Sequence, residues 1–465
     1  MDFAFKKLDL ETKLVCLIIF SIGFQQFPVI RIGGSFKIYE LLAICLLGVN
    51  LFTPTKSRYS SYINLYTFCF FIVSPLLSYI SSYIFLDYPS GFYRTYEDTD
   101  SFKFNYWIFP GLQLVYMFFN YTAFNSIVKS KKIYDYFTDI IKICIWIGTG
   151  IAAYSLFAMF IVDFIAKLPE FLQNKHEYGF RSTGLSQEPS FYVLYQTWVV
   201  LMIFYSKNLF SKKLWILLLS LNVVSLLFTF STTLVALALI ILFCFFILKN
   251  SFKTKIWLLA VISVTLVGLY LIAISNSNWD YVEFYFINKL TNFFSAPQHT
   301  LDSGSFRSYT SRIGTEIFKL HPLTGVGVGN SIYYMYLFED KMGILIFGER
   351  LLPGSFPQNA FSSVLSEQGI IGGIFFVLLL LKSLYLFWSY RNHDNYCRMF
   401  FTGFLFNLVT MGTIAPVYSL FLWVFIALGL GYIRNIASQD NHVDEENEKP
   451  IQYTTVNHNY ILSNG

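Results

Sequence analysis

The first residues along the chain that are suited to chemistry lie in a polar stretch, RSTGLSQEPS. This stretch interrupts a largely apolar chain. It contains Arg181 and Glu188, and Pro189 follows the glutamate directly. A guanidinium group stays charged and binds phosphate oxygens through paired hydrogen bonds, so Arg181 is a candidate for holding a phosphorylated substrate. Glu188 is a candidate general base for a hydroxyl group, and it is equally suited to cap the helix that Pro189 is expected to start.

A second polar stretch, from residue 276 to residue 360, carries further candidates of the same kinds. Arg312 and Arg307 are suited to phosphate binding, although an outward arginine is as often an anchor at the membrane surface. His321 is an alternative base, but a histidine beside a proline at a helix end is more often a cap or a packing residue. A stretch of this length is too long for an unstructured connection, so we expect it to be partly folded.

The segment TSRIGTEIFKLH, within this second stretch, predicts a helix. Ile313, Ile317 and Leu320 recur at helical spacing and form one apolar face. This amphipathic pattern is suited to a helix that lies on the bilayer surface.

The glycine-rich segment PLTGVGVGN follows this helix. Gly325, Gly327 and Gly329 alternate with valines and lead to Asn330. Such a segment can bring backbone N–H groups close to an anionic or sugar ligand. A tight turn that merely requires glycine is an equally good interpretation.

The second stretch ends in PQNAFSSVLSEQGIIGG, where a new spanning helix is expected to start. Asn359 can cap that helix, and Gln358 lies beside it at the outer surface. Glu367 would lie about two turns into the helix, where an ionisable group is expensive and therefore suggests a function. It is a second candidate base, although it could instead be a structural partner of an arginine.

The elements that must position these residues are membrane helices. The chain has 465 residues, of which 55% are hydrophobic and 13% charged, and its mean hydropathy is +0.53. About twelve apolar runs are long enough to cross a bilayer, so we predict an all-α polytopic bundle. These runs lie near residues 14–30, 37–53, 62–84, 104–126, 139–162, 189–206, 214–229, 231–248, 256–275, 361–382, 398–414 and 416–433.

The distribution of lysine and arginine predicts the orientation of the bundle. If the N-terminus is cytoplasmic and successive spans alternate in direction, every short cytoplasmic loop carries lysine or arginine, as the positive-inside rule requires. Both termini are then cytoplasmic. The candidate residues fall in two outward loops, 163–188 and 276–360, of a single membrane domain that spans residues 1–435. The polar tail 436–465 is expected to be disordered. The net charge of +5 follows from the basic loops, so no nucleic acid partner is expected.

Three segments resemble, in chain order, elements of the bacterial O-antigen polymerase (Wzy type) and O-antigen ligase superfamily. They are Arg181 to Pro189, SYTSRIGTEIFKLHPLTGVGVGN and PQNAFSSVLSEQGIIGG. Polymerases of this superfamily carry an arginine followed after fifteen residues by a glycine. Here the count from Arg312 ends on Val328, one residue from a glycine, and the count from Arg181 ends on Thr197. Neither loop meets the spacing, which counts against a polymerase. Ligases carry a histidine where this chain has Gln358, and a glutamine amide cannot act as a base. This departure favours a polymerase.

The resemblance implies a reaction, partners and a location. A growing polysaccharide would move from undecaprenyl pyrophosphate to a sugar hydroxyl of an incoming lipid-linked repeat unit. The active site would face the periplasm from the inner membrane, and a chain-length regulator of the Wzz type would be a partner, together with membrane lipids. Arg181 and Arg312 would hold the pyrophosphate, Glu188 or Glu367 would assist the acceptor, and the glycine-rich segment would shape the pocket.

Three alternatives bear on this interpretation. An O-antigen ligase is one, and a lipid-linked oligosaccharide flippase is another, although a flippase should place charges along an inner cavity. The acidic motif Asp98-Thr99-Asp100 raises a third, because such pairs bind metal in another class of lipid-linked glycosyltransferase. A solvated acidic loop explains this motif better, so we expect no catalytic metal and no cofactor.

Overall fold

The computed structural model describes most of the predicted membrane region in a set of separate ranges. Within these ranges the chain is helical apart from one short antiparallel hairpin, formed by β1 (Val29–Arg31) and β2 (Ser35–Lys37). The prediction of an all-α membrane bundle is therefore confirmed. The described residues are 8–25, 29–31, 35–52, 62–85, 108–160, 182–186, 188–229, scattered positions between 231 and 247, 303–342, 356–412 and 417–447.

The helices follow one another with short connections wherever the chain is described continuously. The first group consists of α1 (Leu10–Ser21), α2 (Ile38–Phe52), α3 (Tyr62–Phe68), α4 (Ser74–Phe85), α5 (Ile108–Lys129), α6 (Lys131–Asp135) and α7 (Phe137–Phe160). The second group consists of α8 (Pro189–Tyr205), α9 (Lys212–Leu227), α10 (Ser303–Leu320), α11 (Ser331–Met342), α12 (Ala360–Tyr390), α13 (Asn395–Met411) and α14 (Leu420–Asn447).

Several of these helices are long and apolar enough to cross a membrane. Four described segments meet both criteria: Asn64–Phe85, Phe137–Ala158, Ala360–Tyr390 and Leu420–Gln439. A helix overlies each predicted span except two. The run 231–248 is described only at scattered positions, and 256–275 lies outside the described residues. The total of about twelve crossings therefore stays a prediction.

Aromatic side chains fill the centre of the bundle. Trp423 of α14 is fully buried, and its ring centre lies 5.1 Å from that of Phe71 and 5.8 Å from that of Phe70. Phe70 and Phe71 belong to a π-helical turn, Cys69–Val73, that joins α3 to α4. The ring of Phe376 in α12 packs 5.1 Å from that of Phe70. A π-helical turn often marks a functional region, and here it leads directly into α4, which contacts the candidate site.

The last helix is longer than the sequence predicts. A boundary near residue 435 was expected, with a disordered tail from 436, but α14 continues to Asn447. Ile436 is buried against the core, so the packed face of α14 extends past residue 435. Once a helix is nucleated, each further residue adds one hydrogen bond, which explains why the polar segment continues it. Residues 448–465 lie outside the described residues.

Candidate functional site

The segment that follows Arg181 is anchored inside the bundle. The backbone N–H of Ser182 donates to the carbonyl of Phe228 at 2.9 Å, and its hydroxyl lies 2.7 Å from that of Ser155. The N–H of Gly184 also donates to Ser155 Oγ, at 2.9 Å. These contacts tie the segment to α7 and to the end of α9, a role that the sequence did not reveal. Arg181 itself lies outside the described residues.

Glu188 occupies the N-cap position of α8, and Pro189 is the first residue of that helix, as predicted. Its carboxylate, however, does not cap the helix, so the predicted capping role of this side chain is wrong. Glu188 Oε2 instead accepts a hydrogen bond from Ser190 Oγ at 3.2 Å and lies 3.4 Å from Arg307 Nη2. The Glu188 side chain is 40% exposed.

Arg307, in the second polar stretch, contacts the first polar stretch. Its Nη2 donates to Ser190 Oγ at 3.0 Å in addition to its pairing with Glu188, and its side chain is 17% exposed. The expected meeting of Arg181 with Arg312 is untested, because Arg181 is not described. Arg312 lies farther along α10, where its side chain is exposed and makes no ion pair with the described residues.

The apolar face of α10 packs against protein. Ile313 and Ile317 are fully buried, whereas Leu320 is exposed. Gly314 lets α10 approach α12, because a Cβ at this position would meet the ring of Pro357 at 2.9 Å. The predicted amphipathic helix is confirmed. Part of this helix packs against the start of α12, and its expected position on the bilayer surface stays a prediction.

Gln358 and Asn359 lie at this same junction. The N–H of Gln358 donates to Thr310 Oγ1 at 3.3 Å, and Thr310 Oγ1 donates to the carbonyl of Arg307 at 3.1 Å. Asn359 caps α12, as predicted, by accepting from the N–H of Phe361 at 2.9 Å. Its Nδ2 donates to the carbonyl of Gly412 just after α13, at 2.7 Å. One junction of α8, α10, α12 and α13 thus brings together Glu188, Arg307, Gln358 and Asn359.

The glycine-rich turn adopts backbone conformations that favour glycine. The φ angles are +69° at Gly325, +101° at Gly327 and +80° at Gly329. The N–H groups of Val326 and Gly327 donate to carbonyls of α12, at 2.9 Å and 3.0 Å. These amides are therefore engaged within the protein, and the turn is buried. The structure favours the tight-turn interpretation over direct ligand binding by the backbone.

The turn also supports a kink in α12. Gly369 has φ +63° and ψ −161°, which interrupts the helix directly after Glu367 and Gln368. The freed N–H groups of Ile370 and Ile371 donate to the carbonyls of Pro322 and Leu323, at 2.8 Å and 3.2 Å. A Cβ on Gly369 would overlap the Leu323 carbonyl. Because turn and kink exchange hydrogen bonds in both directions, each fixes the other.

Glu367 lies under this turn and is only 2% exposed. Its Oε1 accepts a hydrogen bond from Ser331 Oγ at 2.5 Å. Its Oε2 makes no hydrogen bond of ordinary geometry among the described residues, although the Tyr418 hydroxyl lies close to the carboxyl group. The expected arginine partner is absent from its described contacts. The structure therefore separates the two candidate carboxylates into an accessible one, Glu188, and a buried one.

A row of serines in α4 holds the kinked segment from the other side. Ser74 Oγ donates to Gln368 Oε1 at 2.8 Å, and Ser78 Oγ donates to the carbonyl of Glu367. Ser82 Oγ accepts a long hydrogen bond, at 3.5 Å, from Asn330 Nδ2. The sequence reasoning missed these residues. Serines at positions i, i+4 and i+8 of an apolar span were the signal that could have found them, because they share one helix face.

His321 is half-buried at the end of α10. Burial lowers the pKa of the His321 imidazole, because desolvation disfavours its charged form. This shift favours the neutral form of the imidazole over the charged form. Its carbonyl accepts a hydrogen bond from the N–H of Gly325 at 2.8 Å, which ties it to the turn.

Two places in the chain carry side chains that could bind a metal ion. Asp98 and Asp100 lie outside the described residues. Among the described residues, His393, Asp394 and Cys397 form a cluster that could hold a metal ion. This cluster is at the start of α13, about 25 Å of helix from the junction at the end of α13. It is not part of the candidate site.

We expect Gly369→Ala to destabilise the protein strongly, because alanine must adopt a conformation accessible mainly to glycine and its Cβ would overlap backbone. The cost should be about 3 kcal/mol, lowering the unfolding temperature in detergent by roughly 5 °C or more. Gly150→Ala is the matched control, because nothing lies within 4 Å of a Cβ at that helical position. Unfolding is followed by size-exclusion chromatography after heating. Equal melting curves for the two variants would contradict the conclusion that the turn and the kink fix each other.

Part of the region that forms the turn and the kink also matches a known protein family. A sequence model of the O-antigen ligase family matches residues 214–377. The matched region includes α10, the glycine-rich turn and the kinked first half of α12. No curated protein matches the chain.

Proposed function

We propose that the protein is a polymerase of lipid-linked repeat units in the O-antigen polymerase and ligase superfamily, which the family match at residues 214–377 supports. The family supports an enzyme that assembles O-antigen or a related glycan. The choice of polymerase over ligase is our proposal. It rests on the site residues rather than on the family match.

The observation that carries this proposal is Gln358, whose N–H is linked through Thr310 Oγ1 to the carbonyl of Arg307, the residue that pairs with Glu188. An O-antigen ligase of this superfamily is expected to have a histidine there, which can take a proton from the acceptor hydroxyl. A glutamine amide has no such basicity near neutral pH. Glu188, which pairs with Arg307, carries a carboxylate that can accept a proton. The departure from a ligase on which the proposal rests is this base on the first loop, in place of a histidine beside Asn359.

The proposed reaction is a displacement at the anomeric carbon of the growing chain. The acceptor hydroxyl of the incoming repeat unit forms a new C–O bond, while the bond from the anomeric carbon to the pyrophosphate oxygen breaks. Glu188 takes the hydroxyl proton, and the lipid pyrophosphate leaves with the bonding electrons. Attack from the opposite face inverts the configuration.

Arg307 has two tasks in this proposal. In the free protein it pairs with one oxygen of Glu188 at 3.4 Å, a long contact that a pyrophosphate can replace. Transfer of the guanidinium to the pyrophosphate would stabilise the leaving group and release Glu188 to act as a base. Arg181 and Arg312 are proposed as further cations for the same group, and His321 and Gln358 as neutral neighbours of the sugar. No step in this scheme uses a metal ion or a cofactor.

Glu367 is proposed to have a supporting role instead. Its burial keeps a sugar hydroxyl away, and its Ser331 partner begins α11 directly after the turn. We propose that it holds the turn, and with it Asn330, against α12.

Genetic complementation tests the proposed function directly. The gene is expressed in three strains, the first without its O-antigen polymerase, the second without its ligase and the third without its flippase, each producing the cognate repeat unit. We expect long polysaccharide ladders only in the first strain, on a gel of extracted lipopolysaccharide. Restoration only in the second strain would favour the ligase. Restoration only in a flippase-deficient strain would favour a transporter.

A further inference from the structure

The turn between α12 and α13 gathers three side chains of types that bind metal ions. His393, Asp394 and Cys397 offer a nitrogen, an oxygen and a sulfur atom, and these atoms all lie within 4.8 Å of one another. The turn is at the end of the bundle that the pattern of lysine and arginine predicts to be cytoplasmic. Thiols stay reduced in that compartment, and Cys397 is a free cysteine, so its sulfur is available as a ligand.

Asp394 is held in place from two sides. Its Oδ1 accepts a hydrogen bond from the backbone N–H of Cys397 at 2.7 Å and so caps α13. Its Oδ2 accepts a hydrogen bond from the hydroxyl of Tyr432 in α14, also at 2.7 Å. The ring of Tyr432 in turn stacks on that of Phe137 in α7, with 4.4 Å between the ring centres. Outer hydrogen bonds of this kind orient the ligands of metal sites, so the carboxylate needs little rearrangement to bind an ion.

The spacing and the exposure of the cluster suit zinc. His393 Nδ1 lies 3.8 Å from Asp394 Oδ2, which is too long for a hydrogen bond. Two such ligands of a tetrahedral zinc ion would be about 3.4 Å apart, since their bonds to the metal are about 2.0–2.2 Å long. Cys397 is fully buried, whereas the His393 side chain is 45% exposed, so an ion can enter from the histidine side. A mixed set of nitrogen, oxygen and sulfur ligands is typical of zinc.

The neighbouring groups of this turn are compatible with a bound cation. The guanidinium of Arg391 lies 3.9 Å from the ring centre of Trp388 and donates to the Trp388 carbonyl, so its charge is engaged on α12. The side-chain oxygen of Asn392, beside His393 in the chain, is buried and has no hydrogen-bond partner among the described residues. A buried oxygen without a partner is unusual in a protein, and a bound ion or water is a common reason for it.

We propose that His393, Asp394 and Cys397 form a zinc-binding site at the inner end of the bundle. On binding, the Cys397 thiol loses its proton to solvent, and the thiolate, the neutral imidazole and the carboxylate bind the ion. Because Asp394 is bonded to Tyr432, the bound ion links the turn between α12 and α13 to α14 and stabilises this end of the protein. The site is independent of the proposed polymerase reaction, which we place at the opposite end of α13.

Cobalt substitution tests the site without requiring activity. Full-length protein without an affinity tag is freed of metal by a chelator and titrated in detergent with Co²⁺, and then with Zn²⁺. We expect a thiolate-to-cobalt charge-transfer band that saturates at a single Co²⁺ per chain and that Zn²⁺ removes. Zn²⁺ should also raise the unfolding temperature of the metal-free protein, because an ion that binds the folded state stabilises it.

Matched variants locate the ligands. Cys397→Ser should abolish the charge-transfer band, and His393→Ala, at an exposed position, should weaken Co²⁺ binding by about tenfold or more. Asp394→Asn should also weaken binding but keep the cap of α13, because the amide oxygen can still accept from the N–H of Cys397. Cys45→Ser is the control that should change nothing, since Cys45 is exposed and lies outside the cluster.

The chromatographic profile of each variant shows whether it is folded. The zinc site would be overturned if the folded wild type gave no charge-transfer band, or if Cys397→Ser kept the band. Stabilisation by Zn²⁺ that His393→Ala retains in full would overturn it as well, because this exposed substitution leaves the fold intact and removes only a ligand.

Discussion

Replacing Glu188 by glutamine is expected to abolish polymer formation, whereas replacing Glu367 by glutamine should leave it largely intact. An amide cannot accept the hydroxyl proton, so Glu188→Gln should lose about 10²–10⁴-fold in rate. At position 367 the amide oxygen can still accept from Ser331 Oγ, and the NH₂ group can donate to the nearby Tyr418 hydroxyl. The buried position also favours a neutral side chain.

The measurement is the rate of polysaccharide growth by purified full-length protein supplied with lipid-linked repeat units. Expression level and chromatographic profile of each variant are compared with those of the wild type. Activity retained in Glu188→Gln and lost in a well-folded Glu367→Gln would reverse the roles of the two carboxylates. Glu367→Ala is expected to impair folding, because it removes the acceptor for Ser331 and leaves a cavity beneath the turn.

Replacing Arg307 should produce the second large effect. Arg307→Ala removes the cation proposed to stabilise the leaving pyrophosphate, with an expected loss of about 10²–10³-fold in rate. Arg307→Lys keeps the charge but loses the forked geometry, so it should remain impaired by about tenfold. Arg391→Lys is the matched control, because Arg391 is at the other end of α12 and contacts the ring of Trp388 at 3.9 Å.

An exchange of the two charges separates catalysis from architecture. In the double variant Glu188→Arg/Arg307→Glu the ion pair can form again with its direction reversed. If the pair only joins the two loops, this variant should recover both folding and activity. We expect recovered folding without polymer, because the base and the cation then occupy each other's positions. Recovered ladders would show that Arg307 and Glu188 have a structural role.

Much of the fold and part of the site could be predicted from the sequence, because they depend on local chemistry. Long apolar runs predicted helices that the structure contains, and Pro189 and Asn359 begin helices as expected. The spacing of Ile313 and Ile317 predicted the buried face of α10. Each of these features is determined within a few residues along the chain, by backbone geometry or by helical periodicity.

The contacts between distant segments could not be predicted in the same way. Glu188 has the position of a cap, but its carboxylate turns to Arg307, which is 119 residues farther along the chain. The glycine-rich segment was compatible with ligand binding until its amides proved to be bonded to the carbonyls of Ser366 and Glu367.

The sequence by itself determined that this is a helical membrane protein with its polar chemistry in a few interrupting stretches. Hydrophobic length and turn-forming residues act locally, so they can be read without knowing the fold. Only the tertiary structure decided which carboxylate is accessible and which arginine pairs with it. It also decided that the kink at Gly369 forms hydrogen bonds with the glycine-rich turn. These outcomes depend on which surfaces pack together, since burial and hydrogen-bond partners are properties of the assembled helices and not of any one segment.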